Sequence, residues 1–127
     1  MEELLDKHPL IGVWSVEIRL EGRPQRDFAT SVFHPDGSMS LNTSGYAAHG
    51  VWNATSASAA RIRAVAPLGP SAGQPGWQIL EADVEVSQDG RSVSLRGVYS
   101  RPTPSGIPNK TPINGSGERL LPGGSTG

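Results

Sequence analysis

From Gly12 onward the chain alternates. Trp14, Val16, Ile18 and Leu20 are separated by Ser15, Glu17 and Arg19, a period of two that puts one set of side chains on each face of a strand. The pattern predicts a strand over residues 12–20. The run from Phe28 to His34, rich in Thr, Val and Phe, predicts a second strand, and Ser38 to Thr43, with Met39 and Leu41 on one face, a third. Between them Pro35-Asp36-Gly37 reads as a turn, because Pro presets its φ, Asp bonds its own backbone and Gly accepts a positive φ. Alternation is strongest from Trp77 to Ser87, where Leu80, Ala82, Val84 and Val86 oppose Ile79, Glu81, Asp83 and Glu85. Gln88-Asp89-Gly90 is a hairpin signal leading into a strand over Ser92 to Ser100, where Val93, Leu95 and Tyr99 share a parity.

Other segments are less regular. Residues 43–50 lack periodicity and are expected to form a loop at one end of the fold, after which Val51 to Ala54 begins a further strand. Arg61 to Ala66 alternates Ile62, Ala64 and Ala66 against Arg61, Arg63 and Val65, while Thr111 to Leu121 predicts a last strand with Ile113 and Leu120 as its apolar members. Residues 67–76 and 101–109 are Pro-rich and read as loops. Glu2 to Lys7 predicts about one and a half helical turns stopped by Pro9, short enough to need a surface to pack on, as a lid over one end would have. Eight strands with turns between them fit a barrel or a two-sheet sandwich equally well.

Composition narrows the classes. The chain has 127 residues, expected to form one domain over residues 1–120 with a flexible tail at 121–127. Its 16 Gly and 11 Pro fall between the alternating runs, where an all-β fold places its turns. With 11 basic and 12 acidic residues there is no basic footprint for nucleic acid. Cysteine is absent, which removes disulfides, thiolate catalysis and Cys-ligated metals. No membrane span is expected, since no apolar run approaches about 18 residues. The start from Met1 to Lys7 lacks the basic and apolar regions of a signal segment, so a cytoplasmic location is expected.

Gly12-Val13-Trp14, together with His34-Pro35-Asp36-Gly37-Ser38, His49-Gly50-Val51-Trp52-Asn53-Ala54-Thr55 and Gly115-Ser116-Gly117-Glu118-Arg119-Leu120, resembles small bacterial calycin-like (lipocalin-like) β-barrel proteins. The resemblance implies an all-β, eight-stranded antiparallel up-and-down barrel carrying the short N-terminal helix. It also implies that Trp14 plugs the closed end and that Arg119 packs over it, a cation-π contact typically worth about 0.5 to 2 kcal/mol. The chain departs from lipocalins in lacking cysteine and in reading Gln88-Asp89-Gly90-Arg91 where they carry a Thr-Asp-Tyr type motif. Gly50-Val51-Trp52 and Gly97-Val98-Tyr99 echo the opening motif at unequal spacing, so they mark no duplicated unit. Gly ahead of a large aromatic suits a bent strand near a barrel end.

Such a barrel implies binding of a small hydrophobic metabolite in its cavity. The alternative is a cyclase or isomerase that templates a polyketide-like or terpenoid-like substrate by shape, so whether the chain is an enzyme stays open. A third reading is an interaction module with a filled barrel and an apolar outer patch. An open cavity above roughly 300 Å³ containing Tyr46, His49 or Tyr99 supports the first two readings, and a cavity filled by side chains defeats both. The expected ligand contacts are Tyr46, His49, Trp52 and Tyr99, read against core filling for Trp52 and Tyr99 and a solvated surface position for His49. No catalytic residue, cofactor or oligomeric state is assigned. No metal site is expected, since His8, His34 and His49 lack the close pairing that puts two ligands on one face. Glu81, Asp83 and Glu85 face water, or, in the opposite register, line the cavity as a carboxylate cluster.

Overall fold

The computed structural model describes residues 8–22, 24, 26–68, 76–101, 106–107 and 109–121. Eight strands follow one another: β1 (Gly12–Leu20), β2 (Arg26–Phe33), β3 (Ser38–Thr43), β4 (Ala47–Ala54), β5 (Ala59–Leu68), β6 (Gly76–Val86), β7 (Ser92–Arg101) and β8 (Asn109–Arg119). Each pairs antiparallel with its chain neighbours, and β1 pairs with β8 to close the barrel. Closure decides between barrel and sandwich, and it leaves no edge strand unpaired. The expected helix at Glu2 to Lys7 lies outside the described residues, which contain no helix. Nor, among them, is any helix long and apolar enough to cross a membrane.

Alternation sorts the side chains. Trp14, Val16 and Ile18 of β1, Ile62, Ala64 and Ala66 of β5, and Leu80, Ala82, Val84 and Val86 of β6 are all buried inside. The outward carboxylates of β6 meet arginines of β5: Arg61 lies 3.2 Å from Asp83 and Arg63 3.8 Å from Glu81. The water-facing register therefore holds, and the carboxylate cluster in the cavity does not form.

Two turns follow one design. At Asp36 and Asp89 the carboxylate accepts the backbone N–H two residues on, from Ser38 and Arg91, while Gly37 and Gly90 take positive φ of 92° and 74°. The hairpins β2–β3 and β6–β7 follow from these residues.

Residues 43–50 differ from the expected loop. The turn is only Ser44-Gly45-Tyr46, and Ala47 to Gly50 belong to β4. Alternation was hidden because the inward positions there are Ala48, which is small, and Gly50, which has no side chain. A Cβ on Gly50 would stand 1.9 Å from the Arg63 carbonyl oxygen, so β5 fills that place with backbone. Gly97 repeats the device: its Cβ would stand 2.0 Å from the Glu81 carbonyl oxygen and 2.6 Å from Ala82 Cα. Glycine two residues before Trp52 and before Tyr99 thus lets the backbone of β5 lie close against β4 and that of β6 close against β7. The last strand also shifts: β8 ends at Arg119, and Leu120 lies beyond it, half exposed.

One end of the barrel is sealed. Trp14 is fully buried and donates its indole N–H to the Leu10 carbonyl at 2.8 Å, which draws residues 8–11 across the opening. Arg119 lies over the Trp14 ring at 4.3 Å and donates to the carbonyls of Gly90, Ile11 and Pro9. His8 is buried at the same end, edge-on to Trp52. Its Nδ1 accepts the Leu10 N–H at 3.1 Å, so the proton sits on Nε2, which faces the carbonyls of Ser56 and Ala59. The mouth is therefore the opposite end, where β1, β3, β5 and β7 finish.

Candidate ligand-binding site at the barrel mouth

Tyr46 and Tyr99 reach the mouth from different sides. Tyr46 stands at the tip of the β3–β4 turn, held by Thr43, whose Oγ1 accepts the N–H of Gly45 at 3.0 Å and of Tyr46 at 3.1 Å. Tyr99 is an inward residue near the end of β7. Their rings meet edge to face, 6.4 Å between centres and 87° between planes, and their hydroxyls hydrogen-bond to each other. The pair forms a bar across the mouth. Tyr99 is buried and Tyr46 half-buried. Burial first of all raises both phenol pKa values above the ordinary 10.0, and Tyr99 is raised further by the neighbouring Tyr46. Both are neutral O–H groups at physiological pH.

Around the pair the strands end in polar residues at positions whose parity points inward. Gln78 is buried and accepts a hydrogen bond from Arg101 Nε at 2.7 Å. Asp27, two residues before buried Ala29 on β2, carries a charge felt by both tyrosines, as does Arg101 with the opposite sign. Asp27, Gln78 and Arg101 escaped the sequence reading. Their signal is parity: each shares the inward face with an apolar neighbour, Ala29, Leu80 or Tyr99 respectively, and a polar group at such a strand end faces a rim.

The other two expected contacts lie elsewhere. His49 and Trp52 are three residues apart on one strand, so their side chains leave opposite faces. His49 is exposed outside the barrel. Trp52 is buried at the sealed end, edge-on to His8 at 5.4 Å and to Phe33 at 6.0 Å, with its indole N–H donated to the His34 carbonyl. The mouth thus brings together Tyr46 and Tyr99 and separates them from His49 and Trp52.

The interior is packed. Its void, beside Trp14, Ser31, Ile62 and Leu95, measures about 10 Å³, room for one water at most. Larger concavities of about 860 and 430 Å³ lie on outward faces, where serines at 92, 94 and 116 leave dips between longer side chains. Among the described residues no group of three or more His, Asp or Glu is placed to hold a metal ion. Neither a protein-family model nor a curated protein matches the chain.

Proposed function

We propose that the protein is a calycin-like barrel that binds a small, largely apolar molecule at its mouth, with the Tyr46 and Tyr99 hydroxyls orienting it. The observation that carries this is the hydroxyl pair itself. Two phenols bonded to each other across the end of an apolar tube are a polar handle beside a greasy wall, the usual composition of a small-molecule site. At the sealed end, among the described residues, the side-chain nitrogens of His8, Trp14, Trp52 and Arg119 are tied to backbone, as a structural closure needs. At the mouth, among the described residues, the two tyrosine hydroxyls bond each other.

The filled interior defeats a ligand site within the barrel cavity, so the binding reading is confined to the mouth, and it bears on the alternatives as well. Folding a flexible polyketide-like or terpenoid-like chain into its reactive shape needs room that a 10 Å³ void does not provide. A catalytic version of the mouth reading would use a small substrate, with a neutral tyrosine O–H donated to a developing oxyanion. A protein-docking reading is favoured by another observation, the outward exposure of Val51, Val65 and Trp77 on β4, β5 and β6 at 58%, 44% and 46%.

Native mass spectrometry of the protein purified from its own host separates these. A small-molecule adduct that disappears in Tyr99→Trp, which fills the mouth, supports the binding reading. A polypeptide adduct with no small molecule sinks it in favour of docking.

A further inference from the structure

Tyr46 puts an unusual side chain in an unusual place. A turn of exposed Ser44 and Gly45 delivers a phenol ring into the barrel end, where it packs against the core and hydrogen-bonds Tyr99. Ala29, Ala48 and Ala66 are small inward residues toward the mouth ends of β2, β4 and β5. The backbone of the turn is fixed by Thr43, whose N–H donates to the Tyr46 carbonyl at 2.9 Å while its Oγ1 accepts two N–H groups. The ring can therefore leave by rotating its own side chain, with no strand disturbed.

We infer that Tyr46 is a resident stand-in for the ligand, and that the ligand is a neutral single-ring aromatic bearing one hydroxyl, which takes the place of the Tyr46 ring and bonds the Tyr99 hydroxyl. This rests on the mouth being the binding site. The ring size follows from the volume Tyr46 vacates, because the void beside Trp14, Ile62 and Leu95 holds one water at most. The hydroxyl follows from Tyr99, which is buried and would otherwise lose the partner its hydroxyl bonds, leaving an unmet polar group. Neutrality follows from the group replaced, since the Tyr46 side chain is a phenol whose hydroxyl is hydrogen-bonded to the Tyr99 hydroxyl. Tyr46 then sets the affinity, since a ligand competing with a closed mouth binds more weakly by the fraction of molecules that are open.

The test is calorimetric titration of the wild type and of Tyr46→Gly with p-cresol, toluene and p-toluate. p-Cresol is expected to bind Tyr46→Gly about tenfold or more tighter than the wild type, and tighter than toluene or p-toluate by a similar factor. Adding Tyr99→Phe is expected to erase the preference for p-cresol over toluene. Toluene or p-toluate binding as well as p-cresol overturns the stand-in inference while leaving the mouth reading in place; binding of none of the three to either protein overturns both. Should Tyr46→Gly not fold, Tyr46→Ala serves, and in the wild type millimolar p-cresol must shift the NMR signals of Ala48, Ala66 and Tyr99. Unmoved signals there also overturn the inference.

Discussion

The Arg119 guanidinium lies 4.3 Å from the centre of the Trp14 ring, and its Nη1 passes where a Cβ on Gly12 would stand, 2.7 Å away. Gly12 also has a φ of 134°, which side-chain-bearing residues rarely adopt. The motif is thus three parts of one contact: glycine clears the path, arginine crosses it, and tryptophan receives the charge. Arg119→Met keeps the length but strands the carbonyls of Gly90, Ile11 and Pro9. It should cost about 2 to 4 kcal/mol in urea unfolding, and Gly12→Ala about 1 to 3 kcal/mol.

Gly97 and Gly90 separate close packing from conformational freedom. Alanine at Gly97 drives its Cβ into Glu81 and Ala82, whereas at Gly90 nothing lies within 4 Å and only the positive φ resists. Gly97→Ala should destabilise by about 3 kcal/mol or more and Gly90→Ala by about 1 to 2 kcal/mol, read as shifts in the urea midpoint. Equal shifts would mean that the close approach of β6 and β7 at Gly97 relaxes freely.

Acid should loosen the two Asp-Gly turns. Asp36 is held below the ordinary 3.8 first by the Ser38 hydroxyl, then by the Ser38 N–H; Asp89 is held below it first by the Ser87 hydroxyl, then by the Arg91 N–H. A depressed folded pKa gives stability that is complete above the unfolded value and is lost as pH falls through the folded one. The gap in stability between wild type and Asp36→Asn/Asp89→Asn should therefore be constant above about pH 5 and shrink below 3.8. Urea titrations across that range check it, and a gap that widens in acid would contradict it.

Alkali should act at the other end. The chain has 2 Tyr, both at the mouth, so tyrosinate absorbance reports that site alone. Burial raises both above 10.0, so their contribution to stability is complete below that pH and is lost as pH climbs beyond it. Tyrosinate should appear together with loss of folded structure. Ionisation of both tyrosines at pH 10 in a folded barrel would show the mouth to be open to water.

Much of the fold was legible because alternation is strict wherever one face is buried. β1 and β3 fall on their expected bounds, and the β6–β7 hairpin joins where Asp89-Gly90 signals it. The start of β4 was not legible, since Ala48 and Gly50 are too small to show which face is inside. Reading that stretch as a loop had a further consequence: it left His49 and Trp52 free to share a rim with Tyr46, when a strand must send them apart. The rim charges Asp27 and Arg101 were hidden for a different reason, because a polar residue at a strand end looks like the beginning of a loop.

Tyrosine-labelled protein observed by NMR while p-cresol is added tests the central claim most directly. Both tyrosine ring signals should shift saturably, while the indole N–H signals of Trp14 and Trp52 at the sealed end stay still. Shifts at Trp52 with the tyrosines unmoved would contradict the assignment of the mouth.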